Sequence, residues 1–177
     1  MKHVLPAAIH TWKHNSLSND PTIDELISIQ PKTVYDVGCG DGFYGKLVKL
    51  FLKDATVIGI EKCTDYVSKW HLETIYDLII NADIIDVAST ITGDLIIFGD
   101  VLEHVEKQHV KEILDAVVPN FKYIIINSPL GFQPQPHEVP SEIHRCGLDK
   151  TDFEKYNIVS FDVYDKITFN CLIRGLK

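Results

Sequence analysis

The residues of this chain that could do chemistry gather in one short stretch and at a series of strand ends. Between Val34 and Gly45 the sequence reads VYDVGCGDGFYG, which holds four of its ten glycines within eight residues. Gly38, Gly40 and Gly42 follow an apolar run and lead into a helix-like one. In that context glycines make a tight turn and let the backbone come close to a ligand. The pattern is not G-x-G-x-x-G, because Phe43 stands where the third glycine would be, and no Gly-Lys-Ser/Thr follows as in a phosphate loop. Asp36 precedes the first glycine by two residues and Asp41 lies inside the loop. A pyrophosphate is drawn to the positive end of a helix. Two carboxylates around the ligand fit a cation better. A carboxylate inside an apolar strand is costly to bury alone, so Asp36 implies a partner.

Further candidates sit at later strand ends. Glu61 closes the second apolar run, 21 residues after Gly40, where a carboxylate can accept from both hydroxyls of a ribose. Asp100, Glu103 and His104 follow the fourth run. An imidazole titrates near neutral pH, which makes His104 a candidate general base; the other reading is that Glu103 and His104 cap or pack the next helix. Phe43 and Tyr44 either face a cation with their rings or simply pack. The stretch NSPLGFQPQPHEVPSEIHRCG carries four prolines, two histidines and one arginine, without periodicity. A polar loop of about twenty residues at a functional edge reads as a lid. His137, His144 and Arg145 would line the ligand under that lid, with His144 beside Asp100 and His104 as a catalytic candidate. The spacing of Asp100, His104, His137 and His144 matches no metal motif, so no metal site is expected.

The elements that must position these residues alternate. TVYDV (33–37), TVIGI (56–60), YDLII (76–80), DLIIF (94–98) and YIIIN (123–127) are short, continuous and β-branched, as parallel strands covered on both faces should be. IVSFDVYD (158–165) and ITFNCLIRG (167–175) read as a closing hairpin around residues 165–166. Asp20-Pro21 is a helix start, YGKLVKLFL is amphipathic, and VLEHVEKQHVKEILDAVV sets Val110, Ile113, Leu114, Val117 and Val118 on one helical face before Pro119. Thr151 and Glu154 have capping-box spacing. The fold expected is α/β: a doubly wound, mostly parallel seven-stranded sheet with an antiparallel C-terminal hairpin strand and helices on both faces, ligands lying beyond the carboxyl ends of the strands. Residues 1–177 read as a single domain, with 1–30 as an N-terminal helical cap from which His10, Trp12 and His14 could close over the ligand or merely dock on the core.

In these motifs the chain resembles the class I S-adenosylmethionine-dependent methyltransferases. Their acidic-x-Gly-x-Gly-x-Gly motif is matched by Asp36, Gly38, Gly40 and Gly42, and their fourth-strand segment by DLIIFGDVLEHV. The likeness runs over roughly residues 30 to 175 and implies S-adenosylmethionine as cofactor and S-adenosylhomocysteine as product. It implies that Glu61 binds the ribose and that Asp83, with the Ile84 backbone beside it, meets the adenine. Cys39, Phe43, Tyr44, Lys62 and Asp100 complete the expected cofactor-binding set.

Composition narrows the partners. A net charge of −8 with no basic patch counts against nucleic acid. No apolar stretch is long enough to span a bilayer and the N-terminus is not a signal peptide. Cys39, Cys63, Cys146 and Cys171 are scattered without C-x-x-C, as befits reduced thiols in a cytoplasmic protein. The expected acceptor is a small molecule. A protein or nucleic-acid methyltransferase, a non-catalytic cofactor-binding fold and an NAD-linked enzyme are the alternatives.

Overall fold

The computed structural model describes residues 21–135, 137, 139–164 and 166–177. His10, Trp12, His14 and the rest of the expected cap before Pro21 lie outside the described residues. Seven strands form one sheet: β1 (Thr33–Val37), β2 (Thr56–Ile60), β3 (Leu78–Ile80), β4 (Gly93–Gly99), β5 (Phe121–Pro129), β6 (Asn157–Tyr164) and β7 (Thr168–Arg174). Their order is β3-β2-β1-β4-β5-β7-β6. The first five pair in parallel, and β7 lies antiparallel between β5 and β6. The helices are α1 (Pro21–Ile29), α2 (Phe43–Phe51), α3 (Thr64–Lys69), α4 (Ile84–Val87) and α5 (Lys107–Val117).

The side-chain alternation of a strand divides the core into two layers. Val34, Leu95, Ile97 and Ile125 face α1 and α2, packing with Leu26, Leu47 and Val48. Tyr35, Val37, Ile96, Phe98 and Ile126 face α4 and α5, packing with Ile84, Val110, Ile113 and Leu114. Both faces are covered, which is why these strands are largely apolar. The chain leaves β1 toward β2 on one side and enters β4 on the other. That reversal of strand order opens a crevice at the carboxyl ends of β1 and β4.

Three elements depart from the expected boundaries. The third strand starts at Leu78 rather than Tyr76, because Tyr76 turns into the core and the Asp77 carboxylate accepts from Val57 N and Lys49 Nζ. The helix expected from Val101 is broken: Leu102–His104 form a separate 3-10 turn, Val105 is extended, and α5 starts at Lys107. The Glu103 carbonyl is thereby freed to accept from Arg145 N and Cys146 N. The capping box falls earlier than Thr151, with Asp149 as N-cap and Asp152 as its reciprocal partner.

Candidate functional site

The loop between β1 and α2 is shaped by positive backbone angles at Gly38 (φ 65°), Gly40 (φ 51°) and Gly42 (φ 80°), a region where a Cβ is strained. Gly38 N donates to Ile60 O at 2.7 Å and Gly42 N to Cys39 O at 2.7 Å, so the turn is tied both to β2 and to itself. It rims a cavity of about 360 Å³ at the carboxyl ends of β1, β2, β4 and β5.

Glu61 lines the same cavity and reaches the loop directly. Its Oε2 accepts from Gly40 N at 3.2 Å and its Oε1 from Cys63 N at 2.8 Å. Burial raises its pKa, while the two backbone amides hold it down. Each oxygen keeps a second acceptor site. Asp83 caps α4, its Oδ1 accepting from Ile85 N at 3.1 Å, and Lys62 Nζ stands 3.7 Å from its other oxygen. Ile84, Lys62 and Asp83 line the cavity, as do Cys39, Phe43 and Tyr44. Phe43 and Tyr44 meet edge to face at 5.2 Å, and the Tyr44 hydroxyl accepts from Asn127 Nδ2 at 2.9 Å.

Two of the expected cofactor residues stand behind the cavity rather than in its wall. Gly42 caps α2 and sits against Ile75 and Leu72. Asp36 is 1% exposed and points from β1 toward α2, where Tyr76 Oη donates to its Oδ2 at 2.5 Å. Burial lifts its pKa to about 7, against the Tyr76 hydroxyl and the Gly45 amide, which favour the ionised form. The partner that Asp36 requires is thus internal, a tyrosine forty residues on.

The other end of the cavity is built around the turn after β4. Asp100 sits in the left-handed region (φ 54°) and its N–H donates to Asn127 O at 2.9 Å. Glu103 is 2% exposed; Ser128 Oγ donates to its Oε2 at 3.0 Å, and its Oε1 has no hydrogen-bond partner among the described residues. Burial pushes its pKa well up, with Asp100 adding to the effect. His104 is pushed down to about 4, first by burial and then by His144, so its imidazole is neutral at pH 7. The His104 and His144 rings meet edge to face at 4.8 Å.

The segment after β5 crosses this end. Gln133, Ser141, Glu142 and His144 line the cavity, and Tyr66 of α3 donates to Glu142 Oε1 at 3.2 Å, joining the segment to the opposite rim. Asp100, His104 and His144 therefore share one cavity wall. Arg145 does not: its guanidinium stands 3.5 Å from Glu106 and donates to Pro140 O. His137 also lies off the cavity, its Nδ1 accepting from Val139 N at 3.0 Å. Glu103, His104 and His144 bring ligand atoms within 4.8 Å of one another, a cluster that the sequence spacing did not suggest. Tyr66, Tyr76, Ser128 and Glu142 carry no local signal, because each works through a contact distant in sequence.

No protein-family model and no curated sequence matches the chain. Solved structures do. TehB from Haemophilus influenzae superposes with a TM-score of 0.67 at 14% identity, over 92% of this chain and 64% of that one. An O-methyltransferase family protein from Burkholderia thailandensis gives 0.61 at 12% identity, over 88% and 55%. The plantazolicin methyltransferase BpumL, solved with S-adenosylhomocysteine, gives 0.65 at 16% identity, over 86% and 82%. The chain thus spans less than two thirds of the first two structures. It has the fold of the class I S-adenosylmethionine-dependent methyltransferases. Among the described residues, no helix is long and apolar enough to cross a membrane.

Proposed function

We propose that this chain is an S-adenosylmethionine-dependent methyltransferase that acts on a small-molecule acceptor. The observation that carries the reading is Glu61. A buried carboxylate is held by the glycine loop's own amide at a strand end, with an acceptor site left on each oxygen. That donor set fits a ribose. Asp83 and the Ile84 backbone would hold the adenine, while Gly38, Cys39 and Gly40 with Phe43, Tyr44, Lys62 and Asp100 form the remaining wall. Asp36 and Gly42 would act from behind, by fixing the loop. The complex of BpumL with S-adenosylhomocysteine supports this cofactor over NAD.

The cofactor, when bound, supplies a methyl carbon on a sulfonium leaving group. The work left to this chain is to align an acceptor, keep water out and dispose of a proton where the acceptor carries one. Asp100, His104 and His144 are the catalytic candidates, because they share the wall at the acceptor end. A histidine lowered to about 4 is neutral at pH 7 and offers a lone pair to a hydrogen-bond donor. A cavity of about 360 Å³ under a segment tied down by Tyr66 and Glu142 favours a small acceptor, and the −8 charge disfavours nucleic acid. Four free thiols favour a cytoplasmic setting.

Calorimetric titration tests the reading. S-adenosylhomocysteine should bind saturably, NAD should not, and Gly40→Val should abolish binding with little change in circular dichroism, since a β-branched residue is strained at φ 51° in a loop that lines the cavity. NAD binding without S-adenosylhomocysteine binding would overturn the proposal.

A further inference from the structure

We infer a divalent transition-metal site at the acceptor end of the cavity, held by Glu103, His104 and His144. One ligand atom from each residue lies within 4.8 Å of the other two. Around a tetrahedral zinc with bonds of ~2.1 Å the ligand atoms stand roughly 3.4 Å apart, so modest side-chain rotations close the set.

Two orphaned atoms point to an ion. Glu103 is 2% exposed, and Ser128 satisfies one carboxylate oxygen while Oε1 has no hydrogen-bond partner among the described residues. His104 Nδ1 is buried and also lacks one. Buried polar atoms are seldom left unpaired, and here two of them occupy neighbouring residues of one turn. A cation would satisfy both.

His144 is set up as the third ligand. Its Nδ1 lies 2.6 Å from the Gln133 carbonyl oxygen. A carbonyl only accepts, so Nδ1 carries the hydrogen and Nε2 presents its lone pair. That backbone contact fixes tautomer and ring orientation in the way outer-sphere partners do for metal-bound histidines. The position is held by backbone as well: Arg145 N and Cys146 N donate to the Glu103 carbonyl at 2.7 and 3.2 Å, which pins the residues after His144 to the turn that carries Glu103 and His104. The break between that turn and α5 is what leaves this carbonyl available.

Two imidazoles and a carboxylate are the donor set of an open zinc-type site rather than of a calcium or magnesium site, which take oxygen ligands. Cys146, the nearby thiol, is turned to the Leu102 carbonyl. Because all three residues line the cavity, the ion's open positions would face the acceptor. On the proposed methyl-transfer reading, the acceptor then offers an oxygen, a hydroxyl or a carboxylate, and His104 and His144 act through the ion rather than as proton acceptors.

The test uses the full chain after chelator treatment, titrated with Co2+ by visible absorption and with Zn2+ by calorimetry, in the absence of cofactor. One equivalent should bind with a Kd below about 10 μM, and His144→Ala and Glu103→Gln should each weaken it at least ~10-fold, since even outer-shell changes cost 10–100-fold. Absence of saturable uptake, or equal affinity in both variants with native circular dichroism, overturns the inference. If Glu103→Gln does not fold, His144→Ala decides alone. The same samples titrated with S-adenosylhomocysteine keep the two proposals apart: metal binding without cofactor binding sinks the methyltransferase reading only, and the converse sinks the metal site only.

Discussion

The buried pair of Asp36 and Tyr76 makes the stability of this fold depend on pH in a direction opposite to that of an ordinary ion-paired aspartate. Asp36 is 1% exposed, and its pKa is raised from 3.8 to about 7 because burial outweighs the hydroxyl and amide that favour its charge. Between those values the folded chain holds a proton that the unfolded chain has released. Stability from this group is therefore fully present below pH 4 and is lost as the pH climbs through 7. A difference of about three pKa units corresponds to about 4 kcal/mol over the window, a large share of a typical domain's stability. Asp36→Asn removes the titration and keeps an oxygen that can accept from Tyr76. Urea unfolding of both proteins at steps from about pH 4 to pH 8 isolates the effect: Glu103, also raised by burial, titrates in both and cancels in the difference, and Glu61, whose charge helps to raise Asp36, enters through that coupling. The stability of Asp36→Asn relative to the parent should rise across the window by several kcal/mol. A difference that stays flat within about 0.5 kcal/mol would refute the reasoning. Asp36 stands behind the cavity wall, so the same variant should bind S-adenosylhomocysteine within a few-fold of the parent.

Two further substitutions separate wall from surface. Glu61→Gln should weaken S-adenosylhomocysteine by about 1–3 kcal/mol, measured by calorimetry, because a charged acceptor is lost and the new amide group faces Gly40 N or Cys63 N, both of which need an acceptor. Arg145→Ala should change neither cofactor affinity nor thermal stability by more than about 0.5 kcal/mol, since its partner is the exposed Glu106.

What could be read from the sequence divides along the same physical line. The five parallel strands were legible because strands covered on both faces read as nearly continuous apolar runs, and the centres of β1, β2, β4 and β5 do so, with Asp36 the exception. The hairpin was legible from two β-branched runs with almost nothing between them. Glu61 and Asp83 were legible as candidates because a strand end is a fixed place in this kind of sheet. The inward turn of Tyr76 was not, since YDLII reads equally well as five strand residues until Asp36 is seen to need a hydroxyl. The break before α5 was hidden because the apolar spacing of the stretch is helical, and the two amides that take up the Glu103 carbonyl belong to residues 145 and 146, about forty residues away. Polarity alone placed both His144 and Arg145 on the acceptor side. Only the fold shows one facing the cavity and the other facing Glu106.

The two ends of the cavity are therefore built differently, and this bears on how the site can vary. The donor end is local: the glycine loop, Glu61 and the start of α4 lie within one run of alternating strands and helices, each held by backbone hydrogen bonds to the next strand. The acceptor end is assembled from distant pieces, with Ser128 reaching Glu103, the amides of Arg145 and Cys146 reaching the Glu103 carbonyl, and Glu142 reaching Tyr66. Replacing residues between Pro129 and Gly147 leaves every contact of the loop with Glu61 in place. It alters the wall that faces an acceptor. On the proposed methyl-transfer reading, such a division would let one donor pocket serve different acceptors, provided the Glu103 carbonyl keeps its two amides. Without them His144 would no longer be held beside His104, and the cluster at the acceptor end would come apart before the donor end was touched.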